Sequence, residues 1–412
     1  MPPRMGAWQP RRLRYGVVLG AWLVVAAAWG APAYRLVLPK GFPQPRIPAD
    51  NPLTAEKVRL GRHLFYDKRM SGNGTRSCAT CHRQELAFTD GRAQAVGATG
   101  QTLPRGAMSL VNAAYSGTLT WSNPNIRTLE QLFGTDPLEL GVVKEDLLRL
   151  IRSDRIYRAL FRRAFPGEAN PYRLANVAKA LASFERAIIS GGSPYDRFHF
   201  GGDANAITEA AKRGEILFFL DYGGPSCFRC HGGFNFSDAA DWVGKPRAPA
   251  AFHNTGLYNV AGRFSFPLPN PGLYLHTKNP ADVGKFKAPT LRNIALTAPY
   301  MHDGSIATLG EVVDHYAAGG RTIERGPWAG VGRENAGKDA LVHGFAMTAQ
   351  NRADLVAFLE SLTDEGVTRD PRFGDPWAEG RRPIDNRPDP EGAPNNLPHK
   401  KMGGVTGSSG RR

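Results

Sequence analysis

The 412-residue chain has only four cysteines, and all of them fall in two short patterns, Cys78-Ala79-Thr80-Cys81-His82 and Cys227-Phe228-Arg229-Cys230-His231. None is left over for a disulfide, which excludes a scaffold stapled by cross-links. Acidic residues are also scarce: 37 Asp and Glu stand against 52 Lys and Arg, for a net charge of +15. Four arginines in the first fifteen residues contribute +4 of this, the tail after Glu365 contributes +3, and about +8 belongs to the body. No run of Lys or Arg is interleaved with aromatics, so the charge does not mark a nucleic-acid surface. A mildly basic body would instead steer an acidic partner. Histidine is missing altogether between Arg83 and Arg197.

What the two cysteine patterns contain is C-x-x-C-H, the attachment signature of a c-type haem. Two thiols must reach the two vinyl groups on one porphyrin edge, and the adjoining histidine must then give a ring nitrogen to the iron. The alternative is one structural zinc site built from both C-x-x-C pairs. It leaves both trailing histidines unexplained and needs a gap far longer than a zinc ribbon uses. Two matches therefore predict two covalently bound haem c groups, on Cys78, Cys81 and His82 and on Cys227, Cys230 and His231.

The chain begins with Arg4, Arg11, Arg12 and Arg14, followed by an apolar stretch from Gly16 to about Ala31. A basic segment followed by a short apolar one reads as an export signal. Extended to Leu38, it is long enough for a retained membrane anchor. Residues 1–39 are thus a signal peptide or anchor, and the expected location is the periplasm.

Residues 52–65 carry apolar positions at helical spacing, with Thr54 as N-cap. The stretch from Phe88 to Gly106 is Gly-rich and loop-like. Leu147–Phe165 and Leu174–Ile189 read as two amphipathic helices, and Thr208 caps a helix over Glu209–Leu220 that leads to the second haem motif. Helix, turn and C-x-x-C-H occur twice, a remote internal repeat. The expected fold is mainly α, with two c-type-cytochrome-like haem domains over about 40–200 and 201–365 and long loops. Residues 366–412, rich in Pro, Gly, Asn and charge, read as a disordered tail.

Further motifs follow in order: Leu110-Val111-Asn112-Ala113-Ala114-Tyr115, Trp121, Ser183-Phe184-Glu185-Arg186, Ser193-Pro194-Tyr195-Asp196-Arg197, Phe286-Lys287-Ala288-Pro289-Thr290-Leu291-Arg292-Asn293, and Thr297-Ala298-Pro299-Tyr300-Met301-His302-Asp303-Gly304. Over residues 50–365 this set resembles the bacterial dihaem cytochrome c peroxidases and their MauG relatives. The resemblance implies a periplasmic enzyme with one high-spin haem that reacts with hydrogen peroxide and one low-spin haem that passes electrons. It places His82 under the reactive haem and His231 under the low-spin one, with Trp121 between them. Gln131 and Glu139 fall at the distal-pocket positions, Glu139 after an apparent two-residue deletion. A glutamate there can move a proton from the inner to the outer peroxide oxygen.

The chain departs from the family pattern in three ways. The absent histidine removes the sixth ligand that reductively activated members use, so the His82 iron is expected to be open at rest. Fourteen residues after His302, where ordinary members have a methionine ligand, stands Tyr316, on a helix with a Thr308/Glu311 capping box and a Gly319-Gly320 stop. Met301, His302, His315 and Met347 are the alternative ligands. Finally, the family's interhaem calcium would keep the carbonyls of Thr297 and Pro299, but the asparagine position reads as Gly106. The remaining histidines, His63, His199, His253, His276, His343 and His399, lack ligand-like spacing and read as surface or satisfied core residues. The leading function is peroxide reduction with electrons from a small c-type cytochrome or another periplasmic redox protein. A MauG-like oxidation of residues on a partner protein and a non-catalytic dihaem electron carrier are the alternatives.

Overall fold

A computed structural model describes residues 34–133, 137–221 and 223–378. Among them the chain is mainly helical, with one two-stranded sheet, Thr322–Ile323 paired with Gly330–Val331. The longer helices are α1 (Ala55–Tyr66), α2 (Lys144–Ser153), α3 (Arg155–Ala164), α4 (Leu174–Ala187), α5 (Glu209–Phe219), α6 (Leu309–Ala317) and α7 (Ala349–Ser361). The export-signal reading of residues 1–39 falls mostly outside the described residues. Among these, no helix is long and apolar enough to cross a membrane.

Two hydrophobic cores hold the fold. One gathers Leu60, Leu64, Phe65, Tyr157, Phe161, Val177, Phe184 and their neighbours. The other gathers Phe218, Phe236, Tyr258, Val313, Leu355, Phe358 and theirs. Each is built on one close helix pair, α1 with α4 and α5 with α7. The pairs repeat one device. A Cβ added at Gly61 of α1 would stand 1.9 Å from the Ala180 carbonyl oxygen, and one added at Gly214 of α5 would stand 1.9 Å from that of Asp354. Only glycine lets backbones meet that closely.

The seam between the cores repeats as well. Asn112 and Asn293 both take the left-handed conformation, φ 58° and 61°, which asparagine tolerates better than most residues. Asn112 donates its backbone N–H to Ile188 and accepts at Oδ1 from Ser190 N–H, 2.9 Å each. Asn293 does the same with Leu362, at 3.0 Å, and Asp364, at 2.8 Å. Ser190 Oγ then donates to Asp364 Oδ2 at 3.2 Å, joining the ends of α4 and α7. Arg292, buried, pairs with both oxygens of Asp196 at 2.9 Å. The motif residues Asp196, Arg292 and Asn293 thus work at the seam.

The capping expectations are met. Thr54, Thr208 and Thr308 each accept a backbone N–H in the first turn of their helices, and Glu311 closes the box on Thr308. Two expectations are corrected. The stretch 147–165 is not one helix, because Asp154 ends α2 in an extended conformation and caps α3 by accepting from Ile156 and Tyr157 N–H. The tail is not structureless from 366. Glu365–Arg369 is helical, Val367 and Phe373 are buried in the first core, and Trp377 Nε1 donates to the His63 carbonyl at 3.0 Å. Apolar side chains spaced through a polar, Pro-rich stretch supply this packing. The rest of the tail lies outside the described residues.

Candidate haem sites

The one-turn helices Cys78–Cys81 and Phe228–His231 carry the two motifs. In both, the chain then bends through a left-handed phenylalanine, Phe88 at φ 63° or Phe236 at φ 48°, whose carbonyl meets the histidine. His82 Nδ1 lies 2.9 Å from the Phe88 oxygen, and His231 Nδ1 lies 3.2 Å from that of Phe236. A carbonyl can only accept, so Nδ1 carries the proton and Nε2 is left to bind iron. Burial lowers the pKa of both rings, keeping them neutral, as a metal ligand must be. Burial also raises both Cys78 and Cys227, the latter to about 12, so both sulfurs are protonated thiols before any group binds. Among the described residues, the cysteine pairs do not come together around a common point. The zinc alternative fails, and the residues fit two haems.

A cavity of about 260 Å³ opens beside His231 and is bordered by Cys227, Cys230, Trp121, Lys287 and Tyr316. It extends to Met108 and Ser109, and the Met108 backbone bonds the His82 ring. The space therefore runs from one haem motif toward the other, with Trp121 on its wall. Trp121 Nε1 donates to the Gly106 carbonyl at 3.0 Å, fixing the indole. Tyr316 projects from α6 into the same space. Burial raises its hydroxyl well above the ordinary value. Met301 and His302 also border this cavity, whereas His315 and Met347 do not. His302 stacks on Phe286 at 3.7 Å between ring centres. Thr297 and Pro299 line the cavity beside Gly106, which has no side-chain oxygen to offer a cation.

The distal residues are less gathered. Glu139 lies on the one-turn helix Pro137–Leu140 and is exposed, yet its charge adds to the raised pKa of Cys78, Cys81 and Glu185. Gln131 is exposed, and its side-chain oxygen caps its own helix by accepting from Arg127 and Thr128 N–H at 2.8 and 3.0 Å. A distal role for Gln131 requires release of that cap.

Three residues carry more than their spacing suggested. His253, read as an ordinary histidine, borders the cavity between Asp238 at 2.7 Å and Asp339 at 2.6 Å. Burial opposes its charge, but the carboxylates of Asp238 and Asp339 push the ring up from its ordinary value. Cys230, Asp238 and His253 lie close enough to hold a metal ion, but Cys230 belongs to the C-x-x-C-H motif, whose sulfurs fit haem attachment. Glu185 is enclosed by protein, like His82 and Cys78, and burial pushes it up to about 8. Lys287 is the third. Of these, only Glu185 and Lys287 sit within the quoted motifs, where a buried charge in an apolar context was the available signal.

Residues 55–205 match the model of the di-haem cytochrome c peroxidase family. The chain is 35% identical to the methylamine utilization protein MauG of Methylorubrum extorquens over 80% of this chain and 84% of that one. The chain belongs to the dihaem cytochrome c peroxidase family. It is also 34% identical to the cytochrome-c peroxidase IdrP1 of Denitromonas iodatirespirans, covering 88% of this chain and 96% of that one. Among solved structures, a MauG-like protein associated with microbial copper homeostasis superposes with a TM-score of 0.81 at 48% identity, covering 84% of this chain and all of that one. As a member of the dihaem peroxidase family, the protein is a haem-dependent peroxidase-type oxidoreductase.

Proposed function

We propose that the protein is a periplasmic enzyme in which hydrogen peroxide is reduced at the haem site of Cys78, Cys81 and His82, while the site of Cys227, Cys230, His231 and Tyr316 shares the oxidising equivalents. When bound, the two haems supply the redox chemistry, accepting two electrons' worth of oxidation from each peroxide. The balanced reaction takes hydrogen peroxide, two protons and two electrons to two waters, so the chain must handle protons. Glu139 is the proton carrier, as base toward the inner oxygen and acid toward the outer. Trp121, held by Gly106, carries electrons along the cavity wall. Residues 1–39 direct export. The carbonyls of Thr297 and Pro299 are the places where a calcium ion would rest, completed by water.

Tyr316 is the residue that supports one branch over the other. As a deprotonated ligand it donates charge, favours higher iron oxidation states and lowers the reduction potential. A low-potential site is a poor acceptor for electrons from a c-type cytochrome. The MauG-like branch, in which a residue of a partner protein is oxidised, therefore fits better than a cytochrome-fed peroxidase. The 48% identical relative, a MauG-like protein associated with copper homeostasis, points the same way, and we extend that setting to this chain.

The test is a peroxide titration of the oxidised holoprotein, with and without a reduced c-type cytochrome. Reaction without prior reduction, slow cytochrome turnover, and a second-haem spectrum altered by Tyr316→Phe are the expected results. Rapid cytochrome oxidation, together with an unchanged spectrum in Tyr316→Phe, would overturn the branch and move the ligand to Met301.

A further inference from the structure

The wall of the second-haem cavity contains two buried cations with different partners. Arg292 is matched within the protein, by both Asp196 oxygens and the Phe234 carbonyl. Lys287 is not. It is 5% exposed and borders the cavity with Trp121, His231 and Tyr316. Its Nζ donates to one acceptor, the Thr118 carbonyl, at 2.8 Å. An ammonium has three donors, and a buried charge is strongly unfavourable without a counter-charge. No carboxylate among the described residues supplies one, and burial alone brings Lys287 down to about 7. The side chain is therefore poised to receive an anion from the cavity itself.

The cofactor that fills this cavity brings carboxylates with it. Cys227 and Cys230 take the vinyl edge of the ring, leaving its two propionates at the other edge. We propose that Lys287 is the counter-ion of a propionate of the haem attached at Cys227 and Cys230, positioning that ring and raising its reduction potential. This rests on the haem reading above. An ammonium in a low-dielectric wall cancels the propionate charge more completely than water would, and an iron near less negative charge accepts an electron more readily. Lys287 thus opposes Tyr316, and the balance of the two sets the potential of the second site. Lys287 is also tied to the electron path, since its backbone N–H donates to the Trp121 carbonyl at 2.9 Å.

The experiment is potentiometry of both haems in the full-length holoprotein, with covalent haem counted first. Wild type lacking two covalent haems would sink the haem reading itself, before any variant is compared. With two haems present, Lys287→Gln should lower the potential of the second haem and leave the first nearly unmoved, while Lys287→Arg should stay close to wild type. A Lys287→Gln protein with two haems and an unchanged second potential overturns the proposal, as does a shift confined to the first haem. Should Lys287→Gln not fold, Lys287→Arg decides: a retained potential supports the counter-ion role, and a marked fall refutes it.

Discussion

A carboxyl group enclosed by protein near Cys78 behaves differently from one at the surface. Burial raises Glu185 to about 8 from its ordinary 4.5; Arg186 pulls it down, and Glu130 and Glu139 push it further up. The folded protein therefore keeps a proton at neutral pH that the unfolded chain releases. Its contribution to stability is full below about pH 4.5 and is lost as pH rises toward 8. Glu185→Gln, which mimics the protonated form, should flatten the fall in stability between pH 5 and 8. The expected change in slope is up to about 1 kcal/mol per pH unit, read by denaturant unfolding at several pH values. An unchanged slope would mean the group is ionised in the folded state. Neither the state of Glu185 nor that of Lys287 was legible in the sequence, because each depends on which chemistry the rest of the fold withholds. The two C-x-x-C-H histidines stood out in the sequence, because attachment chemistry would fix them within five residues. Tyr316 was reached by its distance from His302 and a well-marked helix; its entry into the cavity came from the structure.

At the scale of elements, local signals performed well where a side chain acts on its own backbone. Thr54, Thr208 and Thr308 were readable as caps because each bond closes within three residues. Asp154 has the same chemistry but was hidden inside a continuous apolar rhythm, so two helices read as one. The close pairs α1–α4 and α5–α7 were not readable at all, since a glycine within a helix does not name its partner. They yield a paired prediction. Gly61→Ala and Gly214→Ala would each press a methyl group onto a facing carbonyl oxygen, so the helices must separate. Overpacking of this kind costs about 1–3 kcal/mol. Each variant should lose thermal stability, with Gly61→Ala disturbing the first haem's absorption and Gly214→Ala the second's. Equal spectral effects at both haems would argue that the two cores do not respond separately.

Across the whole molecule, both ends of the described chain reach into the other half of the sequence. Near the start, Phe42 stacks edge-on against Phe234 at 4.9 Å, and Arg46 pairs with Asp241 at 3.0 Å. Near the end, Tyr66 donates to the Phe373 carbonyl at 2.6 Å, Gln84 donates to the carbonyls of Val367 and Asp370, and Phe373 is buried in the first core. Gln84 is two residues from His82, so this C-terminal strap braces the loop that follows the first C-x-x-C-H motif. Truncating a buried phenylalanine costs about 3–5 kcal/mol, and the loss here should not spread evenly. Phe373→Ala should lower overall stability and loosen the first haem site, seen as a change in the high-spin signal and in the rate of peroxide reaction. The second haem should keep its spectrum, because among the described residues its core draws no side chain from beyond Leu362. If Phe373→Ala lowers stability yet leaves the first haem's spectrum and peroxide rate as in wild type, the strap closes the core without bracing the ligand loop.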